Sequence, residues 1–155
     1  MTQNCTIYSL SESAIDLVDS IKKIAPKETL TINGGNDNWS TVEYTSNEAS
    51  MIVNRMVSVT LDDEFTTLVT STHGFVQQIT SKNTETQNEL LNVIQSSKQI
   101  LGIAADPQFD ECAEDIVFAL VGCGKSVIFT GNTFLNSEGG LILDVEGNSE
   151  EGVEV

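Results

Sequence analysis

The sequence predicts an α+β fold: a single domain with a mixed β-sheet flanked by helices, in the order β-α-β-β-β-α-α-β-α-β-β. Three observations carry that prediction. The chain has 155 residues, the length of one ordinary domain. Its residues are 39% hydrophobic, and a globular chain of this size buries roughly 68–70% of the surface its unfolded form exposes, so neither disulfides nor a structural metal is needed. The apolar pattern switches repeatedly between short β-branched runs and stretches of helical period. The domain is expected to span residues 1–146, followed by a flexible acidic tail over 147–155.

The elements follow in order. Residues 5–9 (CTIYS) form a short β-prone run. In the next stretch Ala14, Val18, Ile21 and Ala25 recur at helical spacing before Pro26, with Ser9 and Glu12 placed for a capping box. Then come ETLTIN, a GGND turn, WSTVEYT and SMIVNRMVSVT, whose β-branched and aromatic residues with short connections predict a three-stranded meander. The period changes at Asp62, Asp63 and Glu64, acids at a helix start, after which Phe65, Leu68, Val69, Thr72, Val76 and Ile79 share one face. A second helix begins near Thr84, with Gln87 as its capping partner and Leu90, Leu91 and Ile94 as apolar positions. ILGIAA at 100–105 reads as a strand buried on both faces, and Asp106-Pro107 opens a further helix. That helix ends at Gly122 and Gly124, SVIF follows as a strand, and FLNSEGGLILDV reads as a hairpin around Glu138, Gly139 and Gly140. The unit from Ile100 to Phe129 is therefore a strand, helix, strand crossover with parallel strands.

Charge narrows the function. There are 23 acids against 7 bases, a net charge of -16, although only 19% of residues are charged. The imbalance comes from missing bases, which argues against disorder, and such a surface repels both nucleic acid and anionic lipid. Residues 99–155 hold eleven acids and one base, so the excess is concentrated in the last third. No signal peptide and no apolar run of membrane-spanning length is visible, which predicts a cytoplasmic protein. Three cysteines, Cys5, Cys112 and Cys123, at irregular spacing fit reduced thiols used as packing residues.

Residues 119–126 (ALVGCGKS) match a relaxed phosphate-loop pattern. The loop chemistry needs a helix N-terminus after Lys125, whereas here a helix precedes the glycines and a strand follows, so no nucleotide cofactor is expected. His73 is the sole histidine, which excludes any site needing two imidazoles, and no spacing suggests a metal. A small hydrolase-type enzyme pairing His73 with a carboxylate or a cysteine is the alternative function. The candidate partner-binding residues are Asp110, Glu111, Glu114 and Asp115, like charges at i and i+4 on one side of the helix after Pro107. They point to a basic protein as partner, with a solvated helix face as the plainer reading. No catalytic, cofactor or metal residue is assigned.

The stretches NCTIYS at 4–9, EFTTLVTSTHGFVQQI at 64–79, QILGIAADPQFDE at 99–111 and SVIFTGNTFLNSEGGLILDVEGNSE at 126–150 resemble an uncharacterised bacterial domain of unknown function. The resemblance implies a bacterial cytosolic protein and supplies no activity, cofactor or site residue. The function expected from the sequence is a non-enzymatic interaction or regulatory module that neutralises a basic partner, in the manner of an immunity protein.

Overall fold

The computed structural model describes residues 3–11, 29–33, 41–46, 49–58, 63–106 and 125–155. Its strands are β1 (Gln3–Ser9), β2 (Thr29–Asn33), β3 (Thr41–Ser46), β4 (Ala49–Val57), β5 (Gln99–Ala105), β6 (Ser126–Phe129), β7 (Thr133–Leu135) and β8 (Leu141–Asp144). Two helices, α1 (Asp63–Gln77) and α2 (Thr84–Gln95), lie between β4 and β5. The expected helices before the meander and after Pro107 fall outside the described residues. Three strands close the chain where the order above has two.

The strands form one sheet in the order β2-β3-β4-β5-β1-β6-β7-β8. Every neighbouring pair is antiparallel, which corrects the mixed sheet read from the sequence. The reason is the position of β1. It is inserted between β5 and β6, pairing Tyr8 with Ile100 on one side and with Val127 on the other. β5 and β6 do run in the same direction, as the crossover reading requires, but they are not adjacent.

Strand alternation sorts the core into two faces. Tyr8, Ile100 and Val127 lie in register on the face covered by α1 and α2, where they join Phe65, Val76, Ile79, Leu90, Val93, Ile94 and Phe134 in one buried cluster. Ile7, Leu101 and Ile128 lie in register on the opposite face, together with Val53 and Ile103, and all five are buried. A sheet wet on one side would expose one of these sets. The apolar run at 100–103 therefore has buried residues on both faces, Ile100 on one and Leu101 and Ile103 on the other, as its composition predicts.

Polar contacts fix the helices on the sheet. The Tyr8 hydroxyl meets Thr72 Oγ1 at 2.5 Å inside the core, tying α1 to the central strand. The N-cap of α2 is Asn83, whose Oδ1 accepts from the Thr86 amide at 3.1 Å. Gln87 is not a capping-box partner of that helix. Its Nε2 donates to the carbonyls of Val76, in the last turn of α1, and Ile79, just beyond it, both at 2.8 Å, and Val76 O also accepts from the Ile79 amide at 3.1 Å. One side chain thereby welds the corner between the two helices.

The last nine residues are not a loose tail. Gly147 is buried, and Val153 and Val155 pack against the core cluster. The Glu150 amide donates to Leu141 O at 3.1 Å, and the Asp144 amide donates to Asn148 O at 3.0 Å, so the chain folds back along β8. This return covers the open hydrogen-bonding edge that an outermost strand presents.

Candidate interaction surface

The acids of the described residues sit on the outside. Asp63 and Glu64 are exposed in the first turn of α1, Glu85 and Glu89 on α2, and Glu138, Glu146, Glu150, Glu151 and Glu154 along the β7–β8 edge and its return. From residue 126 to the end there are six acids and no base. Within a Debye length of about 8 Å at physiological salt, neighbouring carboxylates act on an approaching charge together. The β8 edge and its return thus carry exposed carboxylates, with Lys82 and Lys125 as the bases beside them among the described residues.

The turn after β8 is held by its own carboxylate. Asp144 Oδ1 accepts from the amides of Glu146 and Asn148, each at 2.9 Å, and Oδ2 accepts from Asn148 Nδ2 at 3.2 Å. The Asn148 amide, first among these donors, holds the Asp144 carboxyl below the ordinary carboxylate range. Gly147 completes the turn with φ +87, and a Cβ placed there would lie 2.0 Å from Thr80 O. Only glycine lets this turn press against the segment that follows α1.

That contact creates a recess of about 330 Å³ lined by Phe75, Gln78, Ile79, Thr80, Val145 and Glu146. Phe75 is 39% exposed and Val145 45% exposed. The Phe75 ring is backed by a stacked pair, Phe129 and Phe134 at 4.4 Å and 15°, with centroids 5.8 and 6.4 Å away. These distances are ordinary for aromatic packing and fix the ring in place. A second cleft of about 390 Å³ lies beside Lys125, Asn136, Gly140 and Val153. Asn136 shapes its wall: Oδ1 accepts from Glu138 N at 3.0 Å and Gly140 N at 2.8 Å, and Nδ2 donates to Glu154 O at 2.8 Å.

The sequence-derived candidates are distributed differently. Asp110, Glu111, Glu114 and Asp115 lie outside the described residues, as do Cys112 and Cys123. His73 is half-buried on α1 and lines neither of these clefts. Cys5 shares the parity of Ile7, on the face of β1 opposite Tyr8, whereas α1 bonds Tyr8. The sheet therefore separates Cys5 from His73, and burial pushes the Cys5 thiol up to about 11, far from the thiolate that nucleophilic chemistry uses. Lys125 leads into Ser126, the first residue of β6, so a strand follows the lysine of the phosphate-loop-like motif. Among the described residues no three His, Cys, Asp or Glu side chains come together as a metal set, and no helix is long and apolar enough to cross a membrane. Phe75 and Val145 were not singled out by sequence. The available signals were an aromatic beside the predicted apolar stripe of α1 and a valine among the polar residues of a turn.

The fold and this surface define the chain as an α+β domain with an acidic edge. Compared with known proteins, no family model, no curated protein and no solved structure matches it.

Proposed function

We propose that the chain is a non-enzymatic interaction module, bacterial and cytosolic, that binds and neutralises or regulates a basic protein. The observation that supports this reading most is the base-free acidic edge of residues 126–155, displayed on a sheet whose turns are fixed by hydrogen bonds. Complementary charge speeds encounter with a basic partner and disfavours acidic ones. The test is affinity for identified basic proteins of the host, measured at low and high salt. The expected result is a loss of at least about tenfold between the two conditions, of the kind that surface charge pairing produces. Absence of any salt-sensitive binding to such proteins would end the proposal. The alternative, a small hydrolase-type enzyme, keeps only carboxylates, Cys112 or Cys123 as partners for His73, because Cys5 faces away.

A further inference from the structure

We infer that the recess between the end of α1 and the turn after β8 seats one apolar side chain of the basic partner, flanked by that partner's lysines or arginines. This deepens the proposal above and rests on it. Phe75 and Val145 are the two exposed large hydrophobics among the described residues, and both line this same recess. Scattered apolar side chains are normal on a surface, but two that converge on one recess form a small apolar seat.

The seat is built before any partner arrives. Phe75 is backed by Phe129 and Phe134, and Val145 rides on a turn clamped by Asp144 and pressed against Thr80 through Gly147. Preorganisation of this kind lowers the ordering cost of binding. Its volume, about 330 Å³, is at the lower end of the range of ligand pockets, and Gln78, Thr80 and Glu146 on its rim are exposed. An open, shallow recess of this size takes a single side chain rather than an enclosed small molecule.

Charge selects the occupant. Glu146 stands on the rim, while the Glu150 carboxylate accepts from the Leu141 amide at 3.2 Å, at the other end of β8. Among the described residues Lys82 is a nearby base, with its amide 3.4 Å from Gly147 O and its side chain exposed. An acidic ligand would meet Glu146 on a chain of net charge -16, whereas a segment with an apolar residue between two bases satisfies both the seat and its rim.

The test uses the full chain with an oligolysine peptide and the same peptide carrying a central leucine. Both are expected to bind in a salt-sensitive way, the leucine peptide about tenfold more tightly, the increment for burying one aliphatic side chain. Amide shifts should concentrate at Phe75, Thr80 and Val145, and Val145→Lys should remove the increment while leaving the melting temperature unchanged, because the side chain is exposed. Equal affinity for the two peptides would overturn the seat and leave the acidic-surface reading standing. Failure of both peptides to bind would overturn both. Self-association that Val145→Lys abolishes would assign the recess to a second copy of the chain and also overturn the inference.

Discussion

Gly147 joins the two halves of the candidate surface, and Gly147→Ala measures how firmly. Two costs add. The residue sits at φ +87, where an L side chain costs about 1–2 kcal/mol. The new Cβ would also lie 2.0 Å from Thr80 O, a backbone atom that cannot rotate aside. The turn must retreat by more than an ångström, which weakens the Lys82 amide bond to Gly147 O and unseats Val145 from the recess. With overpacking costing typically about 1–3 kcal/mol, the total is about 2–5 kcal/mol. For a domain of this size each kcal/mol lowers Tm by about 2–4 °C. The control is Gly152→Ala, at φ +80 with nothing within 4 Å of the new Cβ, which bears the conformational cost alone. Thermal melts of both variants by circular dichroism should show the Gly147 variant lower by the steric share. Equal losses would refute the reasoning, since they would mean that the turn does not bear on Thr80.

Three further outcomes follow from the core and its corners. Thr72→Val leaves the Tyr8 hydroxyl buried without its partner and should cost about 1–3 kcal/mol, whereas the double variant Tyr8→Phe with Thr72→Val should recover most of that; a denaturant-based double-mutant cycle reads the coupling, and strict additivity would count against the bond. Gln87→Ala removes the side-chain donor from the Val76 and Ile79 carbonyls and should cost about 1–2 kcal/mol, while Gln87→Glu should be worse at neutral pH because a carboxylate faces two acceptors, and should recover on acidification; equal losses at all pH values would contradict the corner geometry. The Cys5 thiol is raised from 9.0 to about 11 by burial, so its share of stability is complete below pH 9 and is lost as pH rises through 11. Peptide mapping after alkylation below pH 9 should find Cys5 protected until the chain is unfolded, and ready labelling of the native protein would show the burial to be wrong.

Legibility from sequence varied with what each signal encodes. The meander, both helices of the 63–95 segment and the 100–105 strand could be read because period and β-branching report burial, which is local to the element. Pairing partners could not be read, because nothing in CTIYS or ILGIAA states that a third strand will enter between β5 and β6. The capping-box spacing at Gln87 is satisfied by chance, while its real acceptors, Val76 O and Ile79 O, lie at the end of the previous helix and just beyond it. The tail looked loose because GNSEEGVEV is polar and acidic. Its order comes from backbone hydrogen bonds to Leu141 and from two valines, features that composition hides. The recess escaped notice for a similar reason: Phe75 and Val145 meet only through the tertiary contact at Gly147.

The central place of β1 has a consequence for how the chain must be made. Among the described strands β1 is the first in the chain, yet it has no sheet partner until β5 has emerged, and its second partner, β6, comes later still. Half of the sheet can assemble by local hairpins, but the join between the β2–β5 and β6–β8 portions is the N-terminal strand itself. Closing that join pays loop entropy over most of the chain, so folding should be slow for a domain of this length and should wait for synthesis to pass Phe129. Until then Ile7 and Tyr8 present an unpaired apolar edge, the interval in which the nascent protein is most exposed to misassembly.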